Sequence, residues 1–340
     1  MDPLDAAPIR RWHALTGADF AALDRARTIV LVTFSPIEVH GPHLPVAADV
    51  LEGDALLLRS VGKLRARMPE LEFVHVAPFG VGAQVLPHPG SLPFDVGTVE
   101  RVLYELGRAL ALQGFVHVWV GNFHGGPGHF LALERAAWRC NRAYGTRMIA
   151  LFSLLLGRLD NEHAALDDGP LQKLLGDIPG VPWSALAGDA HAGTIETSLL
   201  LHLTGAGIPA ASYRTLPRRT FELRRREQGA PRSPGRGLRA VVRDLLEKVA
   251  YFGAETYAGD PAIATAEAGA HLLERLSDAG ADALAAVMRG EVSLRDAHSP
   301  IWRRRWLLLN PLVTRLADAY LRRVLRRRSR ELAGPPRGTR

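Results

Sequence analysis

Cysteine is all but missing. The chain has one, Cys140, so no intrachain disulfide can staple the fold. Long apolar runs are missing as well: the richest, Trp306-Leu-Leu-Leu-Asn-Pro-Leu-Val313, is short and broken by Pro311, well below the length a bilayer requires. The opening stretch, Met1 to Arg11, carries acidic residues early and no apolar core, which excludes a secretory signal. A cytoplasmic enzyme with no membrane partner is therefore expected. No internal repeat is evident. What is present is an ordinary soluble composition, 47% hydrophobic and 23% charged over 340 residues, enough to bury a substantial core in one large α/β domain or two smaller ones. Cys140 falls in a helical pattern from Phe130 to Tyr144 and reads as a buried thiol packing as a small hydrophobe.

The net charge of +7 is uneven, with arginines concentrated in 214–243 and 302–330. Leu316, Tyr320, Leu321, Val324 and Leu325 recur among the later arginines at helical spacing, which describes a helix packing one face on the protein or on a neighbouring subunit. Charge alone is not a binding motif, and no nucleic-acid partner is expected.

Periodicity organises the rest. Thr28 to Phe34 is apolar and β-branched, the composition of a buried strand. Val50 to Met68 repeats apolar residues at three and four positions and reads as a helix. Strands are expected again at Leu71–Phe79, Phe115–Val120 and Arg147–Leu155, and helices at Thr98–Gln113, Pro127–Tyr144, Leu238–Phe252 and Ala262–Ser277. Thr16 and Asp19 form a capping-box variant before a short helix. Leu156–Pro182 reads as a partly polar insertion whose Asp160, Glu162, His163, Asp167 and Asp168 face solvent, and 205–237 as extended. Such alternation predicts a three-layer α/β/α sandwich with a mostly parallel central sheet.

The chemistry gathers at strand ends. After Phe34 the chain reads Ser-Pro-Ile-Glu38-Val-His40-Gly-Pro-His43-Leu-Pro-Val-Ala-Ala-Asp49. Glu38 and His40 are two apart, so on an extended segment both point the same way. Gly41, Pro42 and Pro45 forbid a helix and let Asp49 fold back towards them. Two carboxylates and an imidazole make a mixed oxygen and nitrogen ligand set suited to zinc, manganese or iron(II). His124, in Asn122-Phe-His-Gly-Gly126, is a further candidate ligand where a strand ends in glycines. His191 and Glu196 straddle a loop-to-helix junction opened by Thr194, so both can face one cavity. His191 is the candidate proton shuttle, with Asp189 to orient it, because imidazole titrates near neutral pH. His117 reads as a satisfied structural histidine.

Four stretches together resemble the creatininase (creatinine amidohydrolase) family of metal-dependent amidohydrolases. They are Glu38-x-His40-Gly-Pro-His-Leu-Pro45 with Asp49, Asn122-Phe-His-Gly-Gly126, His191-Ala-Gly-Thr-Ile-Glu196-Thr-Ser198, and Gly259-Asp-Pro-Ala-Ile-Ala-Thr265. The resemblance implies a hydrolase domain over 1–275 followed by a basic helical extension, 276–340. It implies a site for two divalent ions, Zn2+ foremost with Mn2+ or Fe2+ as alternatives, in which Asp49 bridges, Glu38 and His124 complete one side, and His40 and Glu196 the other. It also implies a water activated between the ions, cleavage of a C–N amide bond in a cyclic or linear small molecule, and homo-oligomers, often hexamers. His88, before Pro89-Gly90, is similar to a substrate-facing histidine of the family, though a surface turn explains it equally well. Trp183 is similar to the aromatic residues that shield the family's substrate. True creatininase has His-Tyr-Glu where this chain has His124-Gly-Gly126, so Glu196 is expected to supply the missing carboxylate and creatinine is not the expected substrate. Two alternatives accompany this reading: a peptidase or deformylase acting on a biosynthetic intermediate, and an inactive scaffold.

Overall fold

The computed structural model describes residues 9–162, 169–228 and 247–333. Its frame is a parallel sheet in the order β1-β3-β2-β7-β8, with β1 Arg10–Arg11, β2 Thr28–Ser35, β3 Glu72–His75, β7 His117–Gly121 and β8 Arg147–Ala150. The segment after β3 breaks at Ala77-Pro78 and rejoins the same edge of β2 as β4, Phe79–Gly80; β5 Gly82–Ala83 and β6 Pro93–Phe94 pair apart from the sheet. The long helices are α2 Ala48–Arg65, α3 Val96–Leu112, α4 Pro127–Tyr144, α5 Leu151–Glu162, α7 Thr194–Thr204, α11 Ala266–Met288 and α13 Pro311–Ala333. Shorter ones are α1 Gly17–Ala22, α6 Gly169–Leu175, α8 Ala210–Tyr213, α9 Phe221–Glu227, α10 over 247–254, and α12 Arg305–Leu308.

Strand alternation divides the core into two layers. Ile29, Leu31, Phe73, Trp119 and Ile149 face α2, α7 and α11, while Val30, Val32, Phe34, Val118, Val120 and Met148 face α3 and α4. Because both faces are covered, all eight residues of β2 are buried. This is the expected three-layer α/β/α sandwich. Cys140 is buried in the second layer, as expected, and burial pushes its thiol up to about 11. The capping box at Thr16 and Asp19 forms with both reciprocal bonds.

Topology places the site. The chain leaves β2 towards β3 on one side and later fills the other side with β7, so the switch in strand order lies between β2 and β7. Thr33 pairs with Gly121, and the loops following Ser35 and Gly121 therefore leave the sheet side by side. Those two loops carry Glu38, His40 and His124.

Several elements differ from the sequence reading. The fourth strand stops at Ala150 and the chain turns at once into α5, since an apolar run such as Leu151 to Leu155 fits a buried helix as well as a strand. The insertion expected to be solvated over Leu156–Pro182 instead continues α5 as far as Glu162 and is helical again over Gly169–Leu175, and Leu175 is core. His163, Asp167 and Asp168 lie outside the described residues, as do the side chains of Asp160 and Glu162. Two short helices interrupt 205–228. The helix expected over Leu238–Phe252 is present over 247–254, its earlier part lying outside the described residues. α11 starts at a Thr265 cap and runs unbroken past residue 275, with Gly280, Ala281, Ala283 and Leu284 buried. His117 is buried and its Nδ1 has no partner among the described residues, so it is not the satisfied histidine expected.

α11 and α7 are in close contact at Gly269, where an added Cβ would fall 1.9 Å from the Ser198 carbonyl oxygen. Gly269→Ala is therefore expected to force the helices apart and cost about 1–3 kcal/mol or more. Urea unfolding checks this: the midpoint should fall at unchanged slope, and an unchanged midpoint would show the contact to be loose.

Candidate metal centre

The loop after β2 is fixed before any ligand is considered. Glu38 N donates to Val46 O at 2.8 Å, Leu92 N to Ile37 O at 2.9 Å, and Val39 N to Ser91 Oγ at 3.0 Å. Gly41 turns the chain at φ +62°, and a Cβ there would meet the His43 ring at 2.6 Å. The chain then enters α2, whose first turn holds Asp49 where the helix amides favour a negative charge. On the neighbouring loop, Asn122 brackets the His124 peptide: its Oδ1 accepts from His124 N at 3.0 Å and its Nδ2 donates to His124 O at 3.1 Å.

The side chains converge as the sequence suggested. His124 Nδ1 lies 3.0 Å from Glu38 Oε2 and 3.3 Å from Asp49 Oδ2; His40 Nε2 lies 3.3 Å from Asp49 Oδ1 and 3.7 Å from Glu196 Oε2. Asp49 thus stands between two half-sites, Glu38–Asp49–His124 and His40–Asp49–Glu196, and a third grouping joins Glu38, His40 and His191. Glu38, His40 and Asp49 are at most 1% exposed.

The hydrogen bonds show what this pocket accepts. The His40 Nδ1–H donates to Glu38 O at 3.0 Å, so its Nε2 lone pair faces two carboxylates. Among the described residues, Glu38 Oε2, His40 Nε2 and Asp49 Oδ2 have no hydrogen-bond partner. Buried lone pairs grouped this way repel unless a positive centre lies among them. The proton affinities carry the same message. Burial opposes a charge on His40, yet Asp49, Glu196 and Glu38 outweigh it and hold the imidazole up at about 10. His124 is held well above the usual imidazole range by Glu38 and Asp49, again against burial, and Asp49 well below the usual carboxylate range by the two imidazoles. Burial pushes the Glu196 carboxyl up to about 7. A field that binds protons here equally favours divalent cations, and the donor set, two imidazoles and three carboxylates, fits zinc or manganese.

Glu196 is aimed by strain. Ala192 adopts φ +46°, costly for a residue with a Cβ, and its N–H donates to Glu196 Oε2 at 2.5 Å. Asp189 does not orient His191. Its carboxylate accepts from Thr194 N at 2.6 Å and Ile195 N at 3.1 Å, because two unsatisfied amides at the start of α7 are the stronger claim on it. His191 is oriented instead by Val39, whose carbonyl accepts from Nε2–H at 3.0 Å. Its ring lies 4.2 Å from that of His40, and burial, then the His40 charge, push it down to about 4. His191 is therefore a neutral imidazole with its Nδ1 lone pair free.

The remaining candidates fall around this centre. His43 Nε2 lies 2.9 Å from the Thr197 hydroxyl and ties the first loop to α7. His88 is buried, not a surface turn, and its Nε2–H donates to Phe252 O at 3.1 Å. Trp183 is half-buried against the main core with its indole N–H on Gly176 O, and no hydrogen bond or ring contact recorded for it among the described residues reaches the cluster. Glu52 escaped sequence reading. It lies one turn after Asp49, 1% exposed, with neither carboxylate oxygen partnered among the described residues; burial, then the Glu196 and Asp49 charges, push it well above the usual carboxylate range. Its three-residue spacing from Asp49 was the available signal.

A parallel sheet with carboxylates and imidazoles converging at its strand ends defines an α/β protein with a cluster that could hold divalent metal ions. The family model described as "Creatininase: Creatinine amidohydrolase" matches residues 13–284, and the chain belongs to that family. The mycofactocin precursor peptide peptidase of Mycolicibacterium smegmatis is 30% identical over 179 residues, 52% of this chain and 58% of that relative. Its counterpart in Mycobacterium tuberculosis is 25% identical over 205 residues, 59% of this chain and 68% of that relative. The chain thus spans less than two thirds of the length of the former. Among solved structures, a creatinine amidohydrolase (creatininase) matches with TM-score 0.54 and 19% identity over 84% of this chain and all of its own. A manganese creatininase matches with TM-score 0.53 and 18% identity over 81% of this chain and 97% of its own. These likenesses establish the fold, and the donor chemistry described above supports a divalent metal.

Glu38→Gln removes one charge from the cluster and leaves its shape. Affinity for Zn2+ is expected to fall on the order of 10–100-fold or more, read by elemental analysis after dialysis; unchanged stoichiometry would remove Glu38 from the centre.

Proposed function

We propose that the protein hydrolyses the C–N bond of an amide, using divalent ions held by Glu38, His40, Asp49, His124 and Glu196 with Asp49 between them. The observation that carries this reading is the group of buried, unpartnered lone pairs on Glu38, His40 and Asp49. Divalent ions bound there would supply hydroxide near neutral pH and polarise the substrate carbonyl. Three carboxylates nearly balance two divalent charges.

The chain's own residues then handle the proton. An amide nitrogen leaves poorly unless it is protonated, and His191 is the neutral imidazole beside the cluster whose Nδ1 is uncommitted. Val39 fixes the ring and its tautomer through the Nε2–H bond, so Nδ1 can take up a proton and deliver it to the departing nitrogen. His43 and Asn122 hold the ligand-bearing loops.

The substrate is an amide other than creatinine. Gly126 stands where true creatininase has its carboxylate, and a Cβ at that position would meet His124 Nε2 at 2.5 Å. A peptide-derived amide is the favoured version, supported by the two relatives named as precursor peptide peptidases. An intact cluster argues against an inactive scaffold. Homo-oligomers are supported by exposed apolar groups on the C-terminal segment, Trp306, Leu307, Leu312 and Leu316.

Zinc- or manganese-loaded protein should release amine from at least one member of a panel of cyclic amides, formamides and short peptides followed by mass spectrometry. His191→Ala should keep its metal and lose about 10²–10⁴-fold in turnover. A variant as active as wild type would exclude the proton-transfer role.

A further inference from the structure

The segment 251–259 closes one side of the centre, and three observations tie it there. Gly41 N donates to Thr256 O at 2.7 Å, joining it to the first ligand loop. Ala258 N donates to His191 O at 2.7 Å and His191 N to Ala258 O at 3.3 Å, joining it to the proton-transfer loop. The Phe252 ring stands edge-on to the His191 ring, centroids 6.1 Å apart at 82°, while the Phe252 carbonyl accepts the His88 Nε2–H. Phe252 and Ala258 also belong to a small apolar cluster with Phe221 and Tyr251, separate from the two layers on the sheet. Tyr257 anchors the later part of this segment in the core layer on α2, α7 and α11, so it is the Phe252 end that little of the main core holds in place.

A residue from far along the chain does. Arg328 on α13 donates through Nη2 to the carbonyl of Gly253, next to Phe252. The Tyr320 hydroxyl, two turns earlier on the same helix, lies 3.5 Å from where a Gly253 Cβ would stand, an ordinary contact distance that sets α13 beside this turn. His88 is held below the usual imidazole range chiefly by burial, and the Arg328 charge acts in the same direction. α13 lies wholly beyond residue 284, where the match to the family model ends.

We propose that α13 is part of the active site, with Arg328 as a positioning residue that clamps the 251–259 wall and so sets where Phe252 stands against His191 and where His88 is held. The inference rests on the amidohydrolase reading only for what the wall encloses. A guanidinium on a main-chain carbonyl is a charge-assisted bond of the stronger kind, and removing it leaves Gly253 O to find another donor. The residues that meet substrate remain His191 and the cluster; Arg328 acts through the segment.

Hydrogen exchange read by mass spectrometry on full-length protein tests the clamp independently of activity, with zinc content measured on the same samples. In Arg328→Ala, peptides covering 251–258 should exchange about tenfold faster or more, while β2 and α2 keep wild-type protection and zinc content is unchanged. Arg328→Lys retains a cationic donor and should restore protection. Equal exchange in Arg328→Ala and wild type, or a rise spread evenly over the whole chain, would overturn the clamp. Absence of zinc from every variant, including wild type, would instead count against the metal centre, so the two failures are distinguishable.

Discussion

Three carboxylates, Glu38, Asp49 and Glu196, share one nearly dry pocket with two imidazoles, and such a density of negative charge is tolerable only around a cation. Protons on His40 and His124 can supply that charge, which is why both imidazoles are held far above their ordinary range. Divalent ions would supply it better. The fold is arranged to keep this costly cluster together, by pairing β2 and β7 in a register that releases both ligand loops at one point of the sheet.

Rigidity comes from backbone bonds and caps more than from apolar contact. Asn122 closes a ring about the His124 peptide, Val39 fixes His191, and Ala192 accepts an unfavourable backbone angle to aim its amide at Glu196. Asp189 satisfies the first amides of α7, so Glu196 starts from a helix end that does not fray. His43 links the first loop to α7 through Thr197. A centre supported in this way has its charges oriented before any substrate arrives, which is the condition for electrostatic catalysis.

Much of this was legible in the sequence because it is local. The β2 run, the turn residues Gly41 and Pro42, and the spacing of Glu38, His40 and Asp49 all act within the 22 residues from Thr28 to Asp49, and the layered fold follows from alternation along the strands. The parts that were not legible depend on partners distant in sequence. His88 looked like a turn residue because its acceptor, Phe252 O, lies 164 positions away. Asp189 was matched with the wrong neighbour because its carboxylate is claimed by main-chain amides, which leave no mark in a residue pattern. Glu52 is buried by packing between α2 and its neighbours that no local window contains, and the start of α5, Leu151 to Leu155, reads as strand because apolar content without clear period cannot separate the two. The docking of α13 through a glycine carbonyl is invisible for the same reason as the Asp189 cap.

The central claim is that the cluster is a centre for divalent ions, and elemental analysis of purified wild type beside Asp49→Ala tests it most directly. The account predicts about two divalent ions per chain in wild type and a sharp fall in the variant, because Asp49 is the one carboxylate shared by both half-sites. No metal in wild type after incubation with zinc or manganese, or equal loading of the two proteins, would contradict it.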